Sequence, residues 1–130
     1  MKYTRISIKF DEFKDRFNRT ILVKGDPDLF KFETFLAFIL HSEFEHCYLI
    51  YTKDYEYVMA PFMQESFKRV VRYAENYHLN DLPDDFEFLY DTGENYQFKC
   101  YKLDELDINS NQSFYIESAK GQGIWENNST

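Results

Sequence analysis

The sequence predicts an α+β fold: a single domain with a mainly antiparallel sheet built from hairpins and packed with two helices. Three observations carry this. Aromatic residues reach 20%, supplied by 14 Phe and 11 Tyr, and such residues favour pleated, half-buried surfaces. Several stretches alternate polar and apolar residues, as half-buried strands do. Two stretches instead follow a helical period, and hairpins separate them, which argues against a doubly wound parallel sheet.

The elements follow in order. "YTRISIKF" (Tyr3–Phe10) sets Arg5, Ser7 and Lys9 against Ile6, Ile8 and Phe10, a strand with one buried face. "DEFKDRFNR" is a charged connection. "FNRTILVKG" (Phe17–Gly25) turns β-branched and stops at Gly25, a second strand. In "GDPDLFKFETFLAFILHS", Leu29, Phe32, Leu36 and Ile39 or Leu40 keep helical spacing. Asp28 is its N-cap, placed to accept from free first-turn N–H groups. With Phe30, Phe35 and Phe38 the helix is apolar nearly all round, which predicts burial on more than one side. "HCYLIYT" and "YEYVMA" form a hairpin around Lys53 and Asp54, ended by Pro61. "QESFKRVVRYAENYHL" (Gln64–Leu79) is the second helix, with Phe67, Val70, Val71, Ala74 and Tyr77 as its stripe and His78 complementing its terminal dipole. "FEFLYD" and "YQFKCYKL" are strands joined by "TGEN". "DELDINSNQ" is a polar connection, "SFYIESA" a last strand, and "KGQGIWENNST" a flexible tail. No repeat or linker interrupts the chain, so residues 1–130 are read as one domain with an ordered core over about 3–125.

Charge and composition narrow the function. The chain has 130 residues, 15.8 kDa and a net charge of −8, with pI near 4.8. Residues 1–80 hold 12 basic and 12 acidic residues; residues 81–130 hold 3 and 11, and so carry the whole excess. That half repels duplex DNA, whose nonspecific affinity comes from cations that neutralise phosphate. Mean hydropathy is −0.59, and no apolar run approaches the ~20 residues of a membrane span. "MKYTRISIKF" lacks a signal-peptide apolar block. The expectation is a cytoplasmic protein with no membrane contact. Cys47 and Cys100 form no CxxC pair and read as reduced, buried thiols. Two Cys and three scattered His lack the spacing of a zinc site.

Several clusters were weighed for chemistry. Asp91 and Glu94 flank Gly93 in "DTGEN" and suit a hard cation, although a hairpin tip explains the same residues. His41, Glu45 and His46 have ligand-type side chains, but histidines at a helix end also serve the dipole. Lys68, Arg69 and Arg72 beside Tyr73 and Tyr77 make the best basic patch, suited to an acidic partner or a nucleic-acid backbone; a solvated helix face is the plainer account. "KGQG" lacks the GxxxxGK[ST] phosphate loop. Neither GxSxG nor HExxH occurs, and no serine has a local activating context.

The order of certain motifs resembles a known family. Arg19, Ile21, Gly25 and Asp26 resemble the W-R-R-[IV] strand and following G-D of the plasmid pRiA ORF-three-like family, also called insertion-element passenger proteins. His46 and Tyr48 match its L-H-x-F strand. Tyr90, Asp91, Gly93, Glu94 and Tyr96 match its Y-D-[FY]-G-D-x-W hairpin, and Gly121 and Gly123 its G-x-G. The departures are Phe17 for Trp, Asn18 for Arg, Thr92 for an aromatic, Tyr96 for Trp, and Trp125 and Glu126 where Pro and acidic residues are usual. The resemblance spans about residues 3–127 and implies a divergent bacterial, mobile-element-associated member with a compact α+β domain. The family supplies no activity to carry over. The resulting expectation is a non-enzymatic module that uses no cofactor or metal and binds a protein partner or small ligand. Its candidate ligand-binding residues are Arg19, His46, Asp91, Glu94 and Tyr96. Two alternatives are a metal-assisted hydrolase using Asp91 and Glu94, and a nucleic-acid-binding accessory protein using Lys68, Arg69 and Arg72.

Overall fold

The computed structural model describes residues 1–10, 18–40, 47–60, 65–66, 68–91 and 95–120, with backbone alone at Asp91, Asn95 and Lys120. Eight strands run through it: β1 Lys2–Phe10, β2 Asn18–Lys24, β3 Cys47–Tyr51, β4 Tyr55–Val58, β5 Val70–Tyr73, β6 Asp85–Asp91, β7 Asn95–Asp107 and β8 Phe114–Lys120. They form one sheet in the order β5-β4-β3-β6-β7-β1-β2-β8. Every pairing is antiparallel except β4 with β5, which is parallel.

Among the described residues a single α-helix, α1 (Leu29–Ile39), packs on one face. Asp28 caps it as the sequence predicts: its backbone is extended (φ −65, ψ 157) and its carboxylate accepts the Lys31 N–H at 2.9 Å. Leu29, Phe32, Leu36, Ala37 and Ile39 are buried against Ile6, Ile8, Ile50, Phe86, Phe88 and Phe98. Phe35 stacks on Phe114 with ring centroids 4.3 Å apart, tying α1 to β8. The expectation of burial on more than one side fails at Phe30 and Phe38, which are 46% and 66% exposed. The helix covers the sheet with one stripe, and its far side faces outward. On the opposite face of the sheet Leu49, Tyr51, Val58 and Leu89 form a smaller cluster, joined by half-buried Val71.

The predicted fold class is corrected at the second helix. The described part of 64–79 holds no α-helix: Val70–Tyr73 is strand β5, followed by two 3-10 turns at Ala74–Asn76 and Leu79–Asp81. The described residues therefore form a mostly β, mixed eight-stranded sheet carrying one α-helix. The physical reason lies in Val70, Val71 and Tyr73, whose β-branched and aromatic side chains suit a pleated edge. The β4 edge supplies the hydrogen-bond partners. The proposed stripe also splits, because Val70 is 60% exposed while Ala74 is fully buried. His78 terminates no helix. It forms an isolated antiparallel bridge with Asp28, and its N–H donates to the Asp81 carboxylate at 2.8 Å.

β7 also runs longer than expected, because Asp104–Asp107 of the supposed polar connection pair with β1. Cross-strand ion pairs line that extension: Lys2 with Glu105 at 2.7 Å and Arg5 with Asp104 at 2.6 Å. Arg5 also binds Glu117 of β8 at 2.8 Å. Gly25 ends β2 with φ +65, the left-handed conformation that glycine adopts without strain. No helix among the described residues is long and apolar enough to cross a membrane.

Candidate functional site

A groove opens where strand lengths stop matching. β3 ends at Tyr51, opposite Glu87, while β6 continues to Asp85 and stays paired with Tyr101 of β7. The chain leaves β3 at Thr52 and closes the hairpin onto β4, with the Thr52 N–H donating to the Tyr55 carbonyl at 2.9 Å. The recess has a volume of about 590 Å³ and is lined by Tyr51, Tyr55, Tyr57, Arg69, Arg72, Phe86, Glu87, Lys99 and Tyr101, among others.

Two arginines enter it from the β5 side and are held differently. Arg69 lies with its guanidinium carbon 4.1 Å above the Tyr51 ring and pairs with the fully buried Glu56 at 3.3 Å. Glu56 also accepts the Glu65 N–H at 2.7 Å, so its charge is satisfied twice. Arg72 is enclosed by tyrosines. Its guanidinium carbon lies 3.4 Å above Tyr55 and 4.7 Å from the Tyr77 ring centroid, and one N–H donates to the Tyr57 hydroxyl at 3.0 Å. Cation–π contact of this kind fixes a guanidinium plane without neutralising its charge. Tyr57 and Tyr77 meet edge to face at 5.4 Å, which holds the enclosure in shape.

Two tyrosine hydroxyls and a thiol at the recess are held in their uncharged forms. Burial pushes the Tyr51 hydroxyl above its ordinary range, and its hydrogen bond to Glu87 pushes it further. Burial also raises Tyr57, against the opposing pull of Arg72. Cys100 is fully buried, and burial with a smaller push from Glu87 drives its thiol well above the usual range. It therefore stays protonated at neutral pH and is a poor nucleophile. Cys47 is likewise in no disulfide, and it is half-buried where full burial was expected. Behind the groove, the Lys102 ammonium donates to the carbonyls of Leu79 (2.9 Å) and Leu82 (2.6 Å), pinning the second 3-10 turn. Burial lowers its pKa, against nearby acids led by Asp84.

The residues singled out from sequence fall in different places. Arg19 is buried on β2 opposite Ile8 and donates to the Asn18 carbonyl at 3.1 Å. Tyr96 is half-buried on β7, its ring 5.8 Å from Phe10. Ile8 pairs on its other side with Cys100, so the rows of Arg19 and Tyr96 lie four residues apart along β7, about 13 Å of strand. Asp91 ends β6, with its backbone paired to Cys47 and Asn95. His46, Glu94 and the Asp91 side chain lie outside the described residues, as do His41 and Glu45. Among the described residues no three His, Cys, Asp or Glu side chains gather as a metal-ligand set. Of the basic patch, Arg69 and Arg72 converge on the groove, whereas Lys68 is exposed in the preceding turn. Of the enclosing tyrosines, the sequence places Tyr77 beside the basic patch but does not single out Tyr55 and Tyr57. The available signal was "YEY", which puts Tyr55 and Tyr57 on one face of a strand.

No family model and no curated protein matches this chain. A solved structure that it resembles is a protein of unknown function, MM3350, from Methanosarcina mazei Go1. The TM-score is 0.72 at 12% identity, over 95% of this chain and 71% of that one. At that identity the likeness shows a shared fold.

Proposed function

We propose that this chain is a non-enzymatic binding module whose recognition site is the groove at the open end of the β3–β4 hairpin. The observation that carries this is Arg72, a cation seated among three tyrosines at the wall of a recess within the ~300–1,000 Å³ typical of small-ligand sites. Exposed Tyr73 and Tyr101 add aromatic surface of the kind enriched at contact sites. The protonated Cys100 argues against thiol chemistry in the recess. We also propose a cytoplasmic location, in keeping with two thiols outside any disulfide, and kinship with the plasmid pRiA ORF-three-like family on the motifs given above. The test is an amide-shift titration with a library of small fragments. Binders should move residues 51–57, 69–72, 85–87 and 99–101 together. Binders that cluster elsewhere on the sheet, or a library that yields none, would reject the module reading.

A further inference from the structure

We propose, resting on the reading of this groove as a binding site, that its ligand is a small monocarboxylate bearing an aromatic ring, with the carboxylate held by Arg72. The two arginines of the groove differ in what they lack. Arg69 already has the buried Glu56 carboxylate, whereas Arg72 has no acidic partner among the described residues and spends one N–H on Tyr57. Stacking on Tyr55 at 3.4 Å fixes the plane of its fork. A fixed, planar guanidinium with donors to spare matches a carboxylate in two parallel hydrogen bonds.

The rest of the lining selects among anions. Asp54, Asp81, Asp85 and Glu87 all border the recess, against Lys53, Lys99 and Arg72, since Arg69 is held by Glu56, which leaves the lining one charge on the negative side. A phosphate dianion would meet that repulsion twice over, and a singly charged carboxylate only once. Tyr101, exposed at the same recess, offers a flat apolar wall to the body of the ligand. Tyr55, Tyr57 and Tyr77 would equally form a cage for an alkylammonium if Arg72 moved out. The seated Arg72 favours the anion.

The experiment titrates the wild-type chain, Arg72→Lys and Arg72→Gln separately with benzoate, inorganic phosphate and tetramethylammonium at one ionic strength. Amide shifts and the Arg72 side-chain Nε–H signal are the readout. Benzoate should bind the wild type in the millimolar range expected of so small a ligand and move the Arg72 signal, while phosphate does not. Arg72→Lys, which keeps the charge and loses the fork, should weaken benzoate by about tenfold. Arg72→Gln should abolish binding, and its backbone spectrum reports whether the fold survives. Should Arg72→Gln unfold, the wild-type probes and Arg72→Lys decide alone. Phosphate binding more tightly than benzoate, equal benzoate affinity in Arg72→Lys, or tetramethylammonium gaining affinity in Arg72→Gln would each overturn the carboxylate assignment. Neutral fragments that fill the groove while benzoate does not would overturn it and leave the module standing. Silence of the groove to every compound would remove both.

Discussion

Glu33 is an acid in the core. It sits on α1, fully buried; one carboxyl oxygen accepts the Ile50 N–H at 2.9 Å and the other has no hydrogen-bond partner. Burial raises its pKa well above the carboxylate range, against the lowering effect of the Ile50 bond. The native state thus holds a proton that the unfolded chain releases near pH 4. Stability is full below that point and falls as pH rises toward the folded-state value, by about 1.4 kcal/mol per pH unit inside the window. Glu33→Gln should flatten this slope while keeping an acceptor for Ile50. Urea midpoints at pH 5 and pH 8 measure it, and a slope unchanged in the variant would clear Glu33 of responsibility. At the helix start, Asp28→Ala should cost about 1 kcal/mol through loss of the cap to Lys31, read from the same denaturation curves. The Asp28 cap was legible in sequence because capping is local. The burial of Glu33 was not, since an acid on an apolar helix reads as solvent-facing until the sheet behind it is known.

At the scale of elements, the 64–79 segment separates local pattern from tertiary context. Apolar residues there satisfy a helical stripe as well as a short strand, and length alone does not arbitrate between them. What decides is the unpaired edge of β4, contributed by a hairpin about fifteen residues earlier in the chain. Two neighbouring substitutions test the outcome by their contrast. Val71 packs on the Leu49, Tyr51, Val58 and Leu89 cluster, so Val71→Ala should lower stability by about 1 kcal/mol. In the helical stripe Val70 would be buried beside Val71 and Val70→Ala would cost as much, whereas on β5 Val70 is 60% exposed and its change to Ala should cost about half a kcal/mol or less. Thermal denaturation distinguishes the two. The strands β1, β2, β3, β4, β6 and β8 were readable because alternation is a property of neighbouring residues. The extension of β7 was hidden in "DELD", where acidic residues look like loop and are in fact the partners of Lys2 and Arg5.

Across the whole molecule, strand order sets both stability and access. β6, β7 and β1 lie in the middle of the sheet, while β5 and β8 are edges. Native-state hydrogen exchange should therefore be slowest at the central strands and fastest along β5; equal protection of β5 and β7 would contradict this order. Phe88, fully buried on β6 and 6.4 Å from Phe98 of β7, belongs to that centre. Phe88→Ala should cost about 3–5 kcal/mol, measured by chemical denaturation. The acidic excess of the second half is partly absorbed by the same arrangement. Asp104 and Glu117 flank Arg5, Glu105 meets Lys2, and Asp107 meets the amino group of Met1.

Spacing along the chain was enough to specify the hairpins, the capped helix, the acid-rich second half and the pairing of Arg69 and Arg72 within one basic cluster, because each depends on residues a few positions apart. Only the tertiary structure decided that 70–73 is a strand, that Glu33 is buried, and that Arg72 is stacked among Tyr55, Tyr57 and Tyr77. Those outcomes depend on which edge was left unpaired and which face was covered. Such facts arise when segments distant in sequence compete for the same hydrogen bonds and the same apolar surface.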